Sequence, residues 1–391
     1  MTEVAFLVFA VSISILWLLG FLWTSYTILS QKPLEPELDE VITTEFVSVV
    51  VPARNEANRV LEKSISSMLS QDYKSFEVIV VNDRSTDGTG EILQELAKRD
   101  SKLKIIDGKE TESGWLGKPF ALQQGFEKAR GDWVLITDAD IIFSPYTVKT
   151  SVKFAKENNL DALTLLPRIV HGSFWETLFM PVFGWFCLLA MPPQYVNDPN
   201  RKESMGIGNF FLFRKGVLDE LGGFVLVKDE VAEDLKMAEI LKRSGFKMRL
   251  EYAPNLIETR MYSSLKEIWE GFTKNLFSGV KFSFVKSAIS CVFILLFGVL
   301  PIVFAVLFLL MGSYALAFWF FLIYFFQVLT FAVIHLKWQG NILYAFLTPL
   351  GLMLFLLILA NSTVRIATGK GVTWKGRKIY EKGGVRPPVL R

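Results

Sequence analysis

Asp138-Ala139-Asp140 sets two carboxylates two residues apart, directly after the apolar run Trp133 to Thr137. Acids at that spacing, just past a buried strand, can serve one site if the backbone turns there. Magnesium and manganese take such oxygen ligands and complete their shells with waters and substrate phosphates. A solvated acidic turn is the other fate of a D-x-D triplet, and the triplet alone leaves both open. Two more apolar runs end in the same way. Pro52-Ala53-Arg54-Asn55-Glu56 follows one, and Asn82-Asp83-Arg84-Ser85-Thr86-Asp87-Gly88-Thr89 follows the other. Within the second, Asp87-Gly88 reads as turn chemistry and a helix cap. Gly117-Lys118-Pro119 opens a helical stretch, where backbone N–H groups and the helix dipole favour anions. Lys118 there is either a phosphate contact or a solvated loop lysine.

Elements that would bring these residues together are legible around them. Phe46 to Pro52, Phe76 to Val81, Leu103 to Ile106 and Trp133 to Thr137 are short, β-branched or apolar runs of the kind buried parallel strands use. Between them, Asn58 to Gln71, Gly88 to Lys98 and Lys118 to Ala129 have helical spacing, with Pro119 suited to a first helical turn. Strand and helix alternate, so the expected fold is α/β, a mostly parallel sheet with helices on both faces. In such sheets ligands bind beyond the carboxyl ends of the strands. The polar segments above stand at those ends.

The chain has 391 residues, 51% of them hydrophobic, and a formal charge of +3. That charge is small, and no basic stripe with interleaved aromatics argues for nucleic acid. Two cysteines, Cys187 and Cys291, lie in apolar stretches and make neither a disulfide framework nor a zinc spacing. Two histidines, His171 and His335, leave almost no material for a catalytic triad; His335 closes an apolar run and reads as an interfacial side chain.

The apolar residues gather at the two ends of the chain. Val4 to Ser30 is long enough to span a bilayer, which needs ~20 apolar residues. Glu3 stands where a signal peptide would be basic, so residues 1–31 read as an uncleaved membrane anchor. Cys291 to Met311, Tyr314 to Leu336 and Ile342 to Asn361 are three more candidate spans within a transmembrane region, 287–364. The tail, 365–391, carries Lys370, Lys375, Arg377, Lys378, Lys382, Arg386 and Arg391 against the single acid Glu381, which favours the cytoplasm. Three spans after a cytoplasmic domain would leave that tail outside. Either one segment is re-entrant or interfacial, or the tail breaks the rule. Near 174–191, an apolar and Trp-rich stretch with Glu176 and Pro181 reads either as a core helix or, by its aromatics Phe174, Trp175 and Trp185, as an interfacial helix; the aromatics favour the interfacial reading.

Together these pieces resemble the membrane-bound family 2 glycosyltransferases of the GT-A fold. The resemblance rests on Val49–Ala57 (VVVPARNEA), Val78–Thr89 (VIVVNDRSTDGT), Gly117–Gly125 (GKPFALQQG), Gly131–Asp140 (GDWVLITDAD), Gly206–Arg214 (GIGNFFLFR) and Glu233-Asp234. It implies a GT-A domain over 46–280 that includes the apolar helix near 174–191. It further implies that Pro52, Ala53 and Glu56 border the nucleotide, Asp83 reads its base, Lys118 lies near the donor, and Asp138 near the ribose and metal. Asp140 would be the principal ligand of Mg2+ or Mn2+, and Asp234 the general base. Asn209, Glu233, Trp269 and Lys274 would serve the acceptor or phosphate side. The processive and ceramide-type Q-x-x-R-W motif is missing; Trp269-Glu270-Gly271-Phe272-Thr273-Lys274-Asn275 instead resembles the carotenoid- and hopanoid-associated subgroup.

The expectation is an inverting, metal-dependent transfer of a hexose from a nucleotide diphosphate sugar, a UDP-sugar first, to a hydroxyl or carboxyl of a lipid acceptor. The enzyme would be integral to the membrane, with its catalytic domain on the cytoplasmic side. A processive polysaccharide synthase and a non-catalytic membrane protein with a degenerate GT-A domain are the alternatives.

Overall fold

The computed structural model describes residues 2–39, 45–374 and 377–381. Lys375 and the tail residues from Lys382 to Arg391 lie outside them. Two compact units emerge, each described by itself: an α/β unit, Lys32–Val170 with Pro193–Met261, and a helical unit, Met1–Gln31, His171–Pro192 and Tyr262–Arg391. The helix near 174–191 and residues from Tyr262 onward therefore group with the apolar helices, where the expected catalytic limits of 46–280 had included them.

The α/β unit carries strands β1 (Val47–Ala53), β2 (Phe76–Asn82), β3 (Leu103–Asp107), β4 (Trp133–Ile136), β5 (Ile141–Phe143), β6 (Ala162–Leu166), β7 (Arg168–Ile169), β8 (Phe211–Arg214), β9 (Met248–Tyr252) and β10 (Ile257–Thr259). Seven form one sheet in the order β3-β2-β1-β4-β8-β6-β9. β1 runs parallel to β2 and to β4, β2 to β3, and β6 to β9. β8 is reversed and sits between β4 and β6. The sheet is mostly parallel, and its central strands β1, β2 and β4 are largely apolar. On β1, Val47, Val49, Val51 and Ala53 face one core with Ile65 and Met68 of helix Leu61–Leu69 and Leu93 of Thr89–Arg99. Val50 faces a second core with Leu122 and Phe126 of Gly117–Phe126 and Met237 and Leu241 of Glu233–Arg243. Both faces are covered, so alternate residues of a single strand are buried on opposite sides.

The strand order reverses direction between β1 and β4. In such sheets ligands bind beyond the carboxyl ends of the strands at this switch point, where Ala53 to Glu56 and Asp138 to Asp140 lie.

In the helical unit, Glu3–Ser30, Phe284–Leu310, Tyr314–Lys337 and Ile342–Ala367 are long and apolar enough to cross a membrane. The second begins seven residues earlier than the expected Cys291, because Lys286 breaks the apolar run without ending the helix. Phe174–Ala190 is packed against its neighbours in the helical unit. Trp185 stacks on Trp17 at 5.3 Å and donates to Thr24 Oγ1 at 3.0 Å, and Phe179 meets Phe272 at 4.7 Å. Its Glu176, 1% exposed, accepts from the backbone N–H of Gly172. The aromatics of this helix thus pack within the helical unit, while Phe174 at its start stays 42% exposed. His335, likewise expected at an interface, is 3% exposed beside Tyr344.

Candidate active site

Asp234 stands at the start of helix Glu233–Arg243, where the positive dipole end stabilises an anionic side chain. Two backbone N–H groups fix it. Leu235 donates to Oδ1 at 2.8 Å and Gly208 to Oδ2 at 2.8 Å. The Gly208 segment is tied in turn to two strand ends. Thr137, after β4, donates its hydroxyl to the Asn209 carbonyl at 2.7 Å, and Thr164 on β6 bridges the Ile207 N–H and the Phe210 carbonyl. The carboxylate is thus held by rigid elements on both sides.

Lys118 lies on the first turn of helix Gly117–Phe126. Its ammonium bridges Asp138 Oδ1 at 2.7 Å and Glu233 Oε1 at 2.8 Å. An alanine methyl placed at Gly208 would fall 2.9 Å from Lys118 Nζ, 3.3 Å from Asp234 Oδ2 and 3.5 Å from Asp138 Oδ2. One cation and three carboxylates therefore converge over a bare glycine, a place where a ligand can approach the backbone closely. Burial works against the charge on Lys118, and Asp138, Glu233 and Asp234 outweigh it, holding the ammonium well above the usual lysine range. Burial pushes the Glu233 carboxyl up; Asp234 and Asp138 add to that against the pull of Lys118.

Asp140 makes a different contact. Its Oδ2 lies 3.4 Å from Arg59 Nη1, and the same guanidinium lies 4.0 Å from Glu56 Oε2. The loops after β1 and β4 are thereby joined across the switch point. Asp83, 7% exposed, sits between two arginines, with Arg54 at 3.9 Å and Arg84 at 3.7 Å, while Arg54 also donates to the Asp83 carbonyl at 2.7 Å. Asn55 and Arg84 adopt left-handed backbone, φ 51 and φ 52, which is costly for an arginine and marks a tightly determined turn. Asp87 caps the following helix by accepting from the N–H and hydroxyl of Thr89. Pro52 and Ala53 close β1, and Asp83 N–H donates to the Ala53 carbonyl at 2.8 Å.

The fold thus gathers Lys118, Asp138, Glu233, Asp234 and the Asn209 backbone, and places Pro52, Ala53, Glu56, Asp83 and Asp140 along the same strand ends. Trp269 and Lys274 lie on Leu265–Gly279 of the helical unit. Arg59 stood inside the helical stretch Asn58 to Gln71 and Gly208 inside Gly206–Arg214, each without an assigned role. Arg54 and Arg84 stood inside the strand-end segments, and their pairing with the aspartates was the available signal.

No group of three or more His, Cys, Asp or Glu side chains is arranged to hold a metal ion among the described residues. A hard divalent cation needs only one or two protein carboxylates when waters and a diphosphate complete its shell. Asp138 and Asp140 have the oxygen-donor chemistry such a shell takes, and each is paired here with a cation, Asp138 with Lys118 and Asp140 with Arg59.

Residues 48–222 match the model of the family described as Glycosyl transferase family 2. A poly-beta-1,6-N-acetyl-D-glucosamine synthase from Staphylococcus epidermidis is 26% identical over 260 residues, 64% of this chain and 58% of that protein. A synthase of the same description from Staphylococcus aureus is 26% identical over 258 residues, 63% of this chain and 58% of that one. The chain thus spans just over half the length of these curated relatives. A mannosyltransferase from Pyrobaculum calidifontis, solved with GDP-Man and Mn2+, shares the fold with a TM-score of 0.52 at 19% identity, covering 92% of this chain and 98% of that one. With the strand order and its switch between β1 and β4, these likenesses establish that residues 48–222 carry a family 2 glycosyltransferase domain and that the α/β unit has the GT-A fold.

Proposed function

We propose that the protein transfers a hexose from a nucleotide diphosphate sugar to a hydroxyl or carboxyl of a membrane lipid, with inversion at the anomeric carbon. The observation that carries this reading is the convergence of Lys118, Asp138, Glu233 and Asp234 over Gly208. Asp234 accepts the acceptor's proton as it attacks, and its two backbone hydrogen bonds hold the carboxylate in place for that task. A direct displacement needs no enzyme nucleophile and inverts the centre. Lys118 offers positive charge to the departing diphosphate. Asp138 and Asp140 would hold Mg2+ or Mn2+, which when bound supplies charge neutralisation to the leaving group. Pro52, Ala53 and Glu56 border the nucleotide, and Asp83 between its arginines reads the base. Uracil is the first expectation, and the GDP-Man in the Pyrobaculum mannosyltransferase makes guanine the second.

The helical unit supports membrane integration and a cytoplasmic orientation. Lys337 donates to the Gln31 carbonyl at 2.8 Å, so the third span ends where the first ends. Lys32, Lys281, Lys286, Arg365 and Lys370 flank the spans near this end, whereas 1–31 and 287–336 contain no lysine or arginine. Positive residues beside spans favour the cytoplasm. Processive polysaccharide synthesis is the second reading, favoured by the two staphylococcal synthases. Membranes carrying the chain, given radiolabelled UDP- and GDP-sugars, separate the two. Label in the organic phase supports glycolipid synthesis, and ethanol-insoluble label supports a polymer. Transfer that persists in Asp140→Ala would remove the metal-assisted mechanism.

A further inference from the structure

Lys118 is shared between Asp138 Oδ1 at 2.7 Å and Glu233 Oε1 at 2.8 Å. Asp138 is also one of the two carboxylates suited to a divalent cation. An ammonium and a dication on one carboxylate repel each other, and removing such a unit charge changes cation affinity by about tenfold even at high dielectric. Glu233, 5% exposed, is the buried partner, and its helix position is fixed. Asp138 is the more open one, its side chain 31% exposed against 6% for Glu233.

We propose, resting on the transferase reading above, that Lys118 makes cation and nucleotide binding interdependent. Its ammonium competes with the cation for Asp138. A nucleoside diphosphate relieves the competition by giving the ammonium a second anionic partner, while Glu233 anchors it. Lys118 is then a positioning residue that sets the order of assembly: cation and diphosphate enter together, and each strengthens the other by the same factor.

The test measures Mn2+ binding to the full chain in detergent by the electron paramagnetic resonance of free Mn2+, alone and with UDP or GDP. In the wild type, one of these nucleotides strengthens Mn2+ binding. Lys118→Met binds Mn2+ alone about tenfold more tightly and loses a similar factor of the nucleotide effect. Lys118→Arg, which keeps the charge, stays near the wild type. Glu233→Gln, close in shape, binds Mn2+ alone more weakly, because the ammonium loses one of its two paired carboxylates and leans more on Asp138. Mn2+ affinity in Lys118→Met that is unchanged or weaker overturns the competition, as does tightening in Lys118→Arg or Glu233→Gln. If neither UDP nor GDP changes Mn2+ binding in the wild type, the donor reading of the site fails instead.

Discussion

Replacing Asp234 by asparagine separates its two tasks. The carboxylate accepts one backbone N–H at each oxygen, Leu235 at 2.8 Å and Gly208 at 2.8 Å. An amide has one acceptor oxygen, so in either orientation one of these N–H groups faces an NH2. Leaving a buried donor unpaired costs about 1–3 kcal/mol of stability, which shows as a lowered melting temperature. The amide also cannot take the acceptor's proton. General-base assistance is worth roughly 10²–10⁴ in rate, about 3–5 kcal/mol of barrier. On the proposed reading the donor is held by Lys118, Asp138 and the loops after β1 and β2, so the donor Kd should move by only a few fold. The assay pairs product formation in the organic phase with calorimetric titration of the nucleotide. Turnover within tenfold of wild type in the folded variant refutes the base. A donor Kd that collapses with turnover makes Asp234 a donor ligand instead.

Three further outcomes follow from the same geometry. Gly208→Ala puts a methyl 2.9 Å from Lys118 Nζ; displacement of the ammonium should raise the donor KM with little change in melting temperature, and unchanged kinetics would show that Lys118 is not held there during turnover. Glu77, 1% exposed, is opposed by burial but held below the usual glutamate range by Lys104 at 2.5 Å, Ser48 and Arg130. Because its folded pKa is lowered, its contribution is present above the ordinary glutamate range and lost as pH falls through the folded pKa; the melting-temperature gap between wild type and Glu77→Gln should shrink on acidification. Single cysteines at Lys281 and Lys370, in a background with Cys187 and Cys291 replaced by serine, should react with an impermeant maleimide from the same side, and one at Ser313 from the opposite side. Labelling of positions 281 and 370 from opposite sides would require three full crossings.

β1, β2 and β4 were readable because each is a run of apolar or β-branched residues buried on both faces, and β3 by its apolar Leu103, Ile105 and Ile106. The acids at the strand ends were readable because a strand delivers its next residue to a fixed edge. The reversed β8 was not. It pairs Trp133 with Arg214 and Ile136 with Phe211, partners some eighty residues apart, and nothing local in FFLF announces direction or neighbour. The same limit applies within the site. Asp138 and Asp140 look equivalent in the triplet, yet one faces a lysine and the other an arginine. Their separation depends on the turn after β4 and on Arg59, which sits outside helix Leu61–Leu69 although sequence spacing placed it inside. Gly208 contributes a backbone N–H and the lack of a side chain, and neither leaves a compositional mark.

The side chains of the helical unit bear directly on the tail. Three full crossings after the catalytic domain would carry a basic C-terminal segment away from the side its charge prefers. Contacts along the helices point to another path. Ser287, near the start of Phe284–Leu310, bonds Thr363 at 2.6 Å, while a methyl on Gly298, further along that helix, would meet Leu352 at 2.8 Å. Thr348–Ala367 therefore runs antiparallel to the first half of that helix and ends level with its start. Gln327, midway along Tyr314–Lys337, donates to the carbonyls of Phe297 and Gly298, which puts Leu352 near the same depth. After Lys337 the chain climbs beside its own helix, with Tyr344 near His335 and the Phe346 carbonyl accepting from Tyr324 at 2.9 Å. It turns at Leu347, φ −94 and ψ 9, and descends. Within the helical unit, a segment long enough to cross thus runs up beside Tyr314–Lys337 and back toward the start of Phe284–Leu310. Length and hydropathy cannot distinguish that from a span, because both satisfy the same apolar requirement over the same ~20 residues. The difference lies in pairing depth, which here sets the end of Thr348–Ala367, with Arg365, level with the start of Phe284–Leu310.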